Sequence, residues 1–311
     1  MAITTALTAC SKPSDEQTLI GRSDIKIENG RLTPEALWAL GRLGDMQVSP
    51  DGKQIAYGVS YYSVPENRSN REIFVMNSDG SDTQQITHSA KSEYSARWVK
   101  NGQKIAFLTS ESGDVQLWEM NPDGTERTQI TNRTGGITDY LYAPNGKQIL
   151  LIANIPFGKR TTDHYPDLDK ASGFVVDELM YKHWDEWTTS IPHPFLVDYD
   201  GSQVSNERDL LAGEPYECPM KPFGGVEQLA FSPDSNLIAY TCRKKTGKAY
   251  AESTNSDIYL YDIAQGKTIS NLSEGMMGYD INPTFSPNGE YLAWESMERD
   301  GKKKKKNRLF V

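Results

Sequence analysis

The stretch Ser49-Pro50-Asp51-Gly52-Lys53-Gln54-Ile55-Ala56-Tyr57 decides the fold. Pro50 presets φ for the first central position of a turn, and Asp51-Gly52 supplies residues that tolerate positive φ, so the backbone reverses there. The residues after it form a strand. The phrase returns with drift at Asn101-Gly102-Gln103-Lys104-Ile105-Ala106-Phe107, at Pro144-Asn145-Gly146-Lys147-Gln148-Ile149-Leu150, at Ser232-Pro233-Asp234-Ser235-Asn236-Leu237-Ile238, and at Ser286-Pro287-Asn288-Gly289-Glu290-Tyr291-Leu292.

Counted at the turn proline, or at Lys100 in its place, the anchors are residues 50, 100, 144, 233 and 287, with spacings of 50, 44, 89 and 54. Three of these intervals suit one four-stranded propeller blade. Each unit adds a second strand, such as Glu72-Ile73-Phe74-Val75, Gln116-Leu117-Trp118 or Asp257-Ile258-Tyr259-Leu260, and the first two add a closing Gln-Ile-Thr run, Gln85-Ile86-Thr87 and Gln129-Ile130-Thr131. The expected fold is an all-β propeller with WD40-like or TolB-like four-stranded blades over residues 32–311. The long interval reads as a third blade carrying a short helical insertion between about Asn154 and Pro194. A fifth repeat that stops inside a strand would leave edges unpaired, so further blades and a further domain are expected after Val311.

Upstream, Thr33 and Pro34 set an N-cap and first helical position before the apolar residues of Ala36-Leu37-Trp38-Ala39-Leu40, which predicts a short helix. Residues 1–31 read as a signal remnant and linker. Leu7-Thr8-Ala9-Cys10 resembles a bacterial lipoprotein processing site, which implies export and membrane attachment through an acylated Cys10. The net charge of -9 argues against nucleic acid as a partner, because the basic run Lys302 to Lys306 sits in a predicted loop. Cys218 and Cys242 have no metal-ligating or redox spacing, and their pairing stays open.

The insertion holds the densest chemistry. At helical spacing Val176, Met180, Trp184 and Trp187 share one stripe, while Glu178, Lys182 and Asp185 lie opposite, which predicts an amphipathic helix. Glu178 with Lys182, and Lys182 with Glu186, have the spacing of helix-surface ion pairs. Asp163-His164-Tyr165-Pro166-Asp167-Leu168-Asp169 does not match a twelve-residue Ca²⁺ loop, so neither metal nor cofactor is expected.

The Ser-Pro-Asp-Gly turns, the strand Ile258-Tyr259-Leu260-Tyr261-Asp262, the opening Leu32-Thr33-Pro34-Glu35 and the phrase Met180-Tyr181-Lys182-His183-Trp184-Asp185-Glu186-Trp187 resemble the N-terminal propeller of bacterial prolyl oligopeptidase-family serine peptidases. Within that family the resemblance is to the dipeptidyl peptidase and acylaminoacyl peptidase branch. It implies a C-terminal α/β-hydrolase domain with a Ser-Asp-His triad as partner, a peptide substrate, and a homodimer as one candidate assembly. No G-x-S-x-G elbow occurs in these 311 residues, so no catalytic residue is assigned and the chain alone is expected to be inactive.

The resemblance further implies that acidic residues of a propeller insertion hold the substrate's α-ammonium. The family pair is Glu-Glu, and here the matching positions are Asp177-Glu178. Glu178 is the first candidate and Asp177 the second, with Glu186 and Asp185 as substitutes. Tyr181, Trp184 and Trp187 are candidates for lining the cleft. A second reading is a stand-alone TolB-like periplasmic propeller that binds protein, since the fold by itself settles no function.

Overall fold

A computed structural model describes residues 19–27, 29–301 and 306–311. Cys10 and Lys302 to Lys305 lie outside them. The chain is divided between Ala96 and Arg97 into two compact units.

In the first unit, α1 (Pro34–Ala39) forms where the sequence places it, with the Ala36 N–H donating to Thr33 Oγ1 at 3.2 Å. Four antiparallel strands follow: β1 (Arg42–Val48), β2 (Gln54–Ser63), β3 (Arg68–Asn77) and β4 (Gln84–Gln85). They lie in that order in one sheet. β2 and β3 pair from Gln54↔Asn77 to Ser63↔Arg68, and the middle of β2 is buried. β5 (Tyr94–Val99) contains the boundary between the units and opens the sheet continued by β6 (Lys104–Thr109), β7 (Gln116–Met120) and β8 (Thr128–Gln129).

In the second unit, β9 (Asp139–Tyr142) and β10 (Gln148–Pro156) begin the third sheet. Next comes the insertion, with a single helical turn α2 (Thr161–His164) and a small hairpin, β11 (Lys182–His183) with β12 (Glu186–Trp187). The sheet resumes with β13 (Ser190–Tyr199) and β14 (Val204–Asp209), in the order β14-β13-β10-β9. β15 (Leu229–Phe231) and β16 (Leu237–Cys242) lead through α3 (Gly247–Glu252) to β17 (Asp257–Asp262) and β18 (Lys267–Asn271), which complete the fourth sheet. β19 (Asp280–Phe285), β20 (Leu292–Ser296) and β21 (Arg308–Phe310) form the fifth. These consecutive antiparallel sheets are the blades that the repeats predict.

The repeated phrase works as a hydrogen-bonded turn. Ser49 Oγ donates to Asp51 at 2.6 Å and accepts the Gln54 N–H at 2.9 Å. Ser232 does the same with Asp234 at 2.5 Å and the Leu237 N–H at 2.9 Å. Ser286 repeats it with Asn288 at 2.7 Å and the Tyr291 N–H at 3.0 Å. Gly52 and Gly289 adopt φ of 72° and 73°, where any other residue would be strained. In the third repeat Ala143 has no hydroxyl, and Asn145 Oδ1 alone caps the turn by accepting the Lys147 N–H at 2.8 Å.

The core of the second unit joins the third and fourth sheets. Leu150, Ile152 and Leu196 pack in one cluster with Phe231, Ile238, Tyr240, Cys218 and Cys242. Cys218 and Cys242 are free thiols, and burial pushes both above the ordinary cysteine range. The roots of the insertion stand on this core.

Two details of the insertion differ from the sequence reading. Strands β10 and β13 pair without interruption out to Pro156↔Ser190, so the inserted segment is 157–189 and narrower than expected. The helix expected over 176–187 is absent. Met180 and Trp184 sit at φ of 60° and 54°, which breaks any helix. Lys182↔Trp187 and His183↔Glu186 pair across the hairpin instead. The apolar stripe that reads as one helix face is divided. Trp187 stacks on Phe174, with ring centroids 4.2 Å apart, and Trp184 lies edge-on to Phe223 at 5.3 Å. These aromatic contacts replace the helical packing.

Candidate substrate-binding site

The insertion surrounds a cavity of about 670 Å³ in the second unit. That volume lies in the range of small-molecule sites, ~300–1,000 Å³. Its walls are the turn Gly158–Thr162, the extended segment 171–181, the end of the hairpin at Trp187–Thr189, and Thr246–Gly247 at the start of α3.

Each wall is tied in place. The Thr161 hydroxyl donates to the Gly173 carbonyl, joining the α2 turn to the extended segment. The Thr188 N–H donates to the Tyr181 carbonyl at 2.9 Å and the Phe157 N–H to the Thr189 carbonyl at 3.0 Å, closing the hairpin onto the strand ends. Trp187 is covered by Phe174 and by Lys182, whose Nζ lies 4.6 Å from the ring centroid. Tyr181 stands 5.9 Å from the same ring. An aromatic wall results, held by stacking and a cation–π contact.

Beneath the hairpin lies a buried carboxylate. Glu217 accepts the Tyr250 hydroxyl of α3 and the Lys221 N–H at 3.1 Å, and His183 Nε2 stands 3.2 Å from its other oxygen. Arg243 lies over the Tyr250 ring at 4.6 Å. A buried carboxylate is stable only with such donors, and here they come from the hairpin, from α3 and from its own loop. Glu217 therefore holds the hairpin and α3 on one post.

Of the sequence candidates, Asp177, Glu178, Tyr181 and Trp187 all line the cavity. The Glu178 carboxylate lies against Gly247, where an added Cβ would collide with Oε2. Glu186 does not line it. Its carboxylate points to Lys221, with Nζ at 3.8 Å, and neither ion pair expected with Lys182 forms once the segment is a hairpin. Asp185 occupies the hairpin turn, and Trp184 is exposed outside the cavity wall. Phe174, Gly247 and Glu217 were not found from sequence. Glu217 is 34 residues from His183, and no periodicity connects them.

No protein-family model matches the chain. Curated relatives do. Dipeptidyl-peptidase 5 of Porphyromonas gingivalis is 54% identical over 280 residues, which is 90% of this chain and 41% of that protein. Dipeptidyl-peptidase 5 of Porphyromonas endodontalis is 46% identical over 284 residues, 91% of this chain and 41% of that protein. The chain thus spans about 41% of the length of the curated relatives it matches. Among solved structures, the acylaminoacyl peptidase of Pyrococcus horikoshii superposes with a TM-score of 0.60 at 14% identity, covering 88% of this chain and 38% of that one. At that identity the superposition speaks for the fold alone.

Successive four-stranded antiparallel blades with one elaborated insertion define the class, a β-propeller-type fold. The similarity to the dipeptidyl-peptidase 5 proteins bears out the resemblance to the prolyl oligopeptidase family.

Proposed function

We propose that this chain is the propeller portion of an exported serine exopeptidase that hydrolyses short peptides near their N-terminus, with the 157–189 insertion gating access and holding the substrate's α-ammonium. The observation that carries this reading is the convergence of Asp177 and Glu178 with Tyr181 and Trp187 on one cavity. An ammonium held in a confined cleft needs carboxylate partners, and two acids on a fixed wall act as a ruler from the reacting centre. The aromatic wall supplies apolar area for the first side chains of the peptide.

The hydrolysis itself belongs to an α/β-hydrolase domain that the relatives' greater length leaves room for, and the chain described here supplies recognition. Acylation of Cys10 would place the enzyme on a periplasmic or outer-membrane surface. The test is kinetic. In the whole enzyme, Glu178→Gln should lower kcat/KM on a dipeptide-naphthylamide at least about tenfold, the loss expected for one charge-assisted contact, and leave an N-acylated substrate unaffected. An unchanged kcat/KM on the free-amine substrate would remove Glu178 from the amine site.

A further inference from the structure

The same cavity carries a second pair of charges. Lys159 and Arg160, in the turn before α2, line it together with Asp177 and Glu178. Four other arginines of this unit end on carboxylates: Arg97 on Asp139 at 2.8 Å, Arg127 on Glu111 at 2.6 Å, Arg133 on Glu207 at 3.3 Å and Arg208 on Asp198 at 2.9 Å. Among the described residues, Lys159 and Arg160 end on no carboxylate, and Asp177 and Glu178 on no cation. Two acids and two bases therefore share one concave wall without neutralising each other.

The tethers explain the separation. The Arg160 N–H donates to Asp163 at 2.7 Å and the Thr161 hydroxyl bonds the Gly173 carbonyl, which anchors the basic turn. Glu178 is seated against Gly247 at the start of α3. Charges of both signs kept apart in one cleft match a ligand that carries both.

We propose that Lys159 and Arg160 read a carboxylate on the same short peptide whose ammonium the acids hold. The site then selects zwitterionic peptides with a carboxylate close to the N-terminus. This rests on the amine-binding reading above and adds a substrate class to it. Arginine's planar fork suits bidentate carboxylate recognition, and Lys159 adds a point charge beside it. The carboxylate has two chemical sources, the C-terminus of a very short peptide or an acidic side chain near its start.

Equilibrium binding to the full chain by calorimetry separates the possibilities. The probes are alanyl-alanine, its C-terminal amide, N-acetyl-alanyl-alanine, and alanyl-glutamate amidated at its C-terminus. The Lys159→Gln, Arg160→Gln double variant should bind the carboxylate-bearing probe that the parent prefers, alanyl-alanine or the amidated alanyl-glutamate, at least about tenfold more weakly and bind the alanyl-alanine amide as the parent does. Tight binding of the amidated alanyl-glutamate assigns the site to an acidic side chain, and its weakness relative to alanyl-alanine assigns it to the terminal carboxylate.

The proposal is overturned if neither alanyl-alanine nor the amidated alanyl-glutamate binds the parent more tightly than alanyl-alanine amide, or if the double variant keeps the parent's affinity for whichever of the two binds more tightly. Failure of the amine reading has a different signature: the acetylated probe binds as tightly as alanyl-alanine and Glu178→Gln changes nothing, while the double variant still loses affinity. Absence of binding by the parent for every probe at millimolar concentration overturns both. All four charged side chains are exposed, so each variant should retain the parent's unfolding midpoint, which a urea titration checks.

Discussion

Glu72 and Glu93 are both buried in the first unit, and the Glu93 charge acts on the Glu72 carboxyl. Glu72 accepts the Thr87 hydroxyl at 2.7 Å and the Asn70 side-chain N–H at 2.7 Å. Two adjacent carboxylates in a poorly solvated site cannot both ionise, so the pair retains a proton. Burial first, and the neighbouring Glu93 charge with it, push the Glu72 carboxyl up to about 8 against the opposing effect of Thr87 and Asn70.

The pair predicts a pH-dependent stability of definite sign. An unfolded glutamate ionises at about 4.5, whereas the folded one holds its proton to about 8. Within that window the native state binds the extra proton, so stability falls as pH rises. The contribution is complete below the lower value and gone above the upper one. Urea midpoints taken across the window should decline for the parent and decline less for Glu72→Gln. Parallel curves for the two proteins would refute the shared proton.

The same backbone position recurs in every complete sheet. The N–H groups of Glu93, Ile137, Cys218 and Asp280 donate to the carbonyls of Arg71, Val115, Pro192 and Ser256, the residues just before Glu72, Gln116, His193 and Asp257. In three sheets the next N–H along donates to a hydroxyl: Ile73 to Thr87 at 2.8 Å, Leu117 to Thr131 at 2.9 Å and Ile258 to Ser273 at 3.0 Å. In the third sheet that donor is Pro194, which has no N–H, and the hydroxyl position is Leu211. There His193 turns to Asp209 instead, with Nδ1 3.0 Å from its carboxylate. Where Ile137 replaces the second acid, Gln116 replaces the first. Each sheet thus solves one local hydrogen-bonding problem with matched residues.

That regularity also explains how much of the molecule the sequence discloses. Turn chemistry and strand periodicity are local, so the repeats, α1 and the blade strands read directly from residues such as Ser49, Gly52 and Thr33. The oversized interval also marked the cavity, since Asp177, Glu178, Tyr181 and Trp187 do converge. The hairpin did not read. Helical spacing of Met180, Trp184 and Trp187 is equally compatible with partners far away in sequence, and Phe174, Phe223 and Glu217 decide the outcome. Helix propensity is weaker than such tertiary contacts.

The repeated turn makes its own prediction. Ser232→Ala removes the hydroxyl's bonds to Asp234 and from the Leu237 N–H, together with a longer one from the Asn236 N–H, which Asp234 also accepts. Each is worth ~1 kcal/mol, so the variant should lose ~1–2 kcal/mol by urea unfolding without change in its far-ultraviolet circular dichroism. The third repeat already folds with Ala143 at the equivalent position. A variant as stable as the parent would show that the backbone turn alone suffices.

Gly247 combines two constraints. Its φ of 56° lies in the left-handed region, and a Cβ would meet the Glu178 carboxylate. Gly247→Ala should therefore cost ~1–2 kcal/mol of stability from the backbone alone. It should also displace Glu178 from its seat and weaken free-amine peptide binding, as is expected of Glu178→Gln. Loss of stability with unchanged peptide affinity would separate the two effects and show that the seat does not set the carboxylate's position.

Glu217 tests whether the cavity walls depend on one buried group. Replacing it with alanine leaves the Tyr250 hydroxyl, the Lys221 N–H and the His183 ring without their acceptor. Hydrogen bonds to a charged group are worth ~1.5–3 kcal/mol, and unpaired buried donors add to the cost. The loss should concentrate in the insertion, because the blades have their own ladders of hydrogen bonds. Hydrogen exchange should therefore quicken at the Thr188 amide, which bonds Tyr181, while the Leu196 and Val197 amides of β13 keep the parent's protection. Glu217→Gln, which retains one acceptor oxygen, should fall between the parent and Glu217→Ala. If exchange at Thr188 is the same in all three proteins, the hairpin is held by its aromatic contacts with Phe174 and Phe223 rather than by the buried carboxylate.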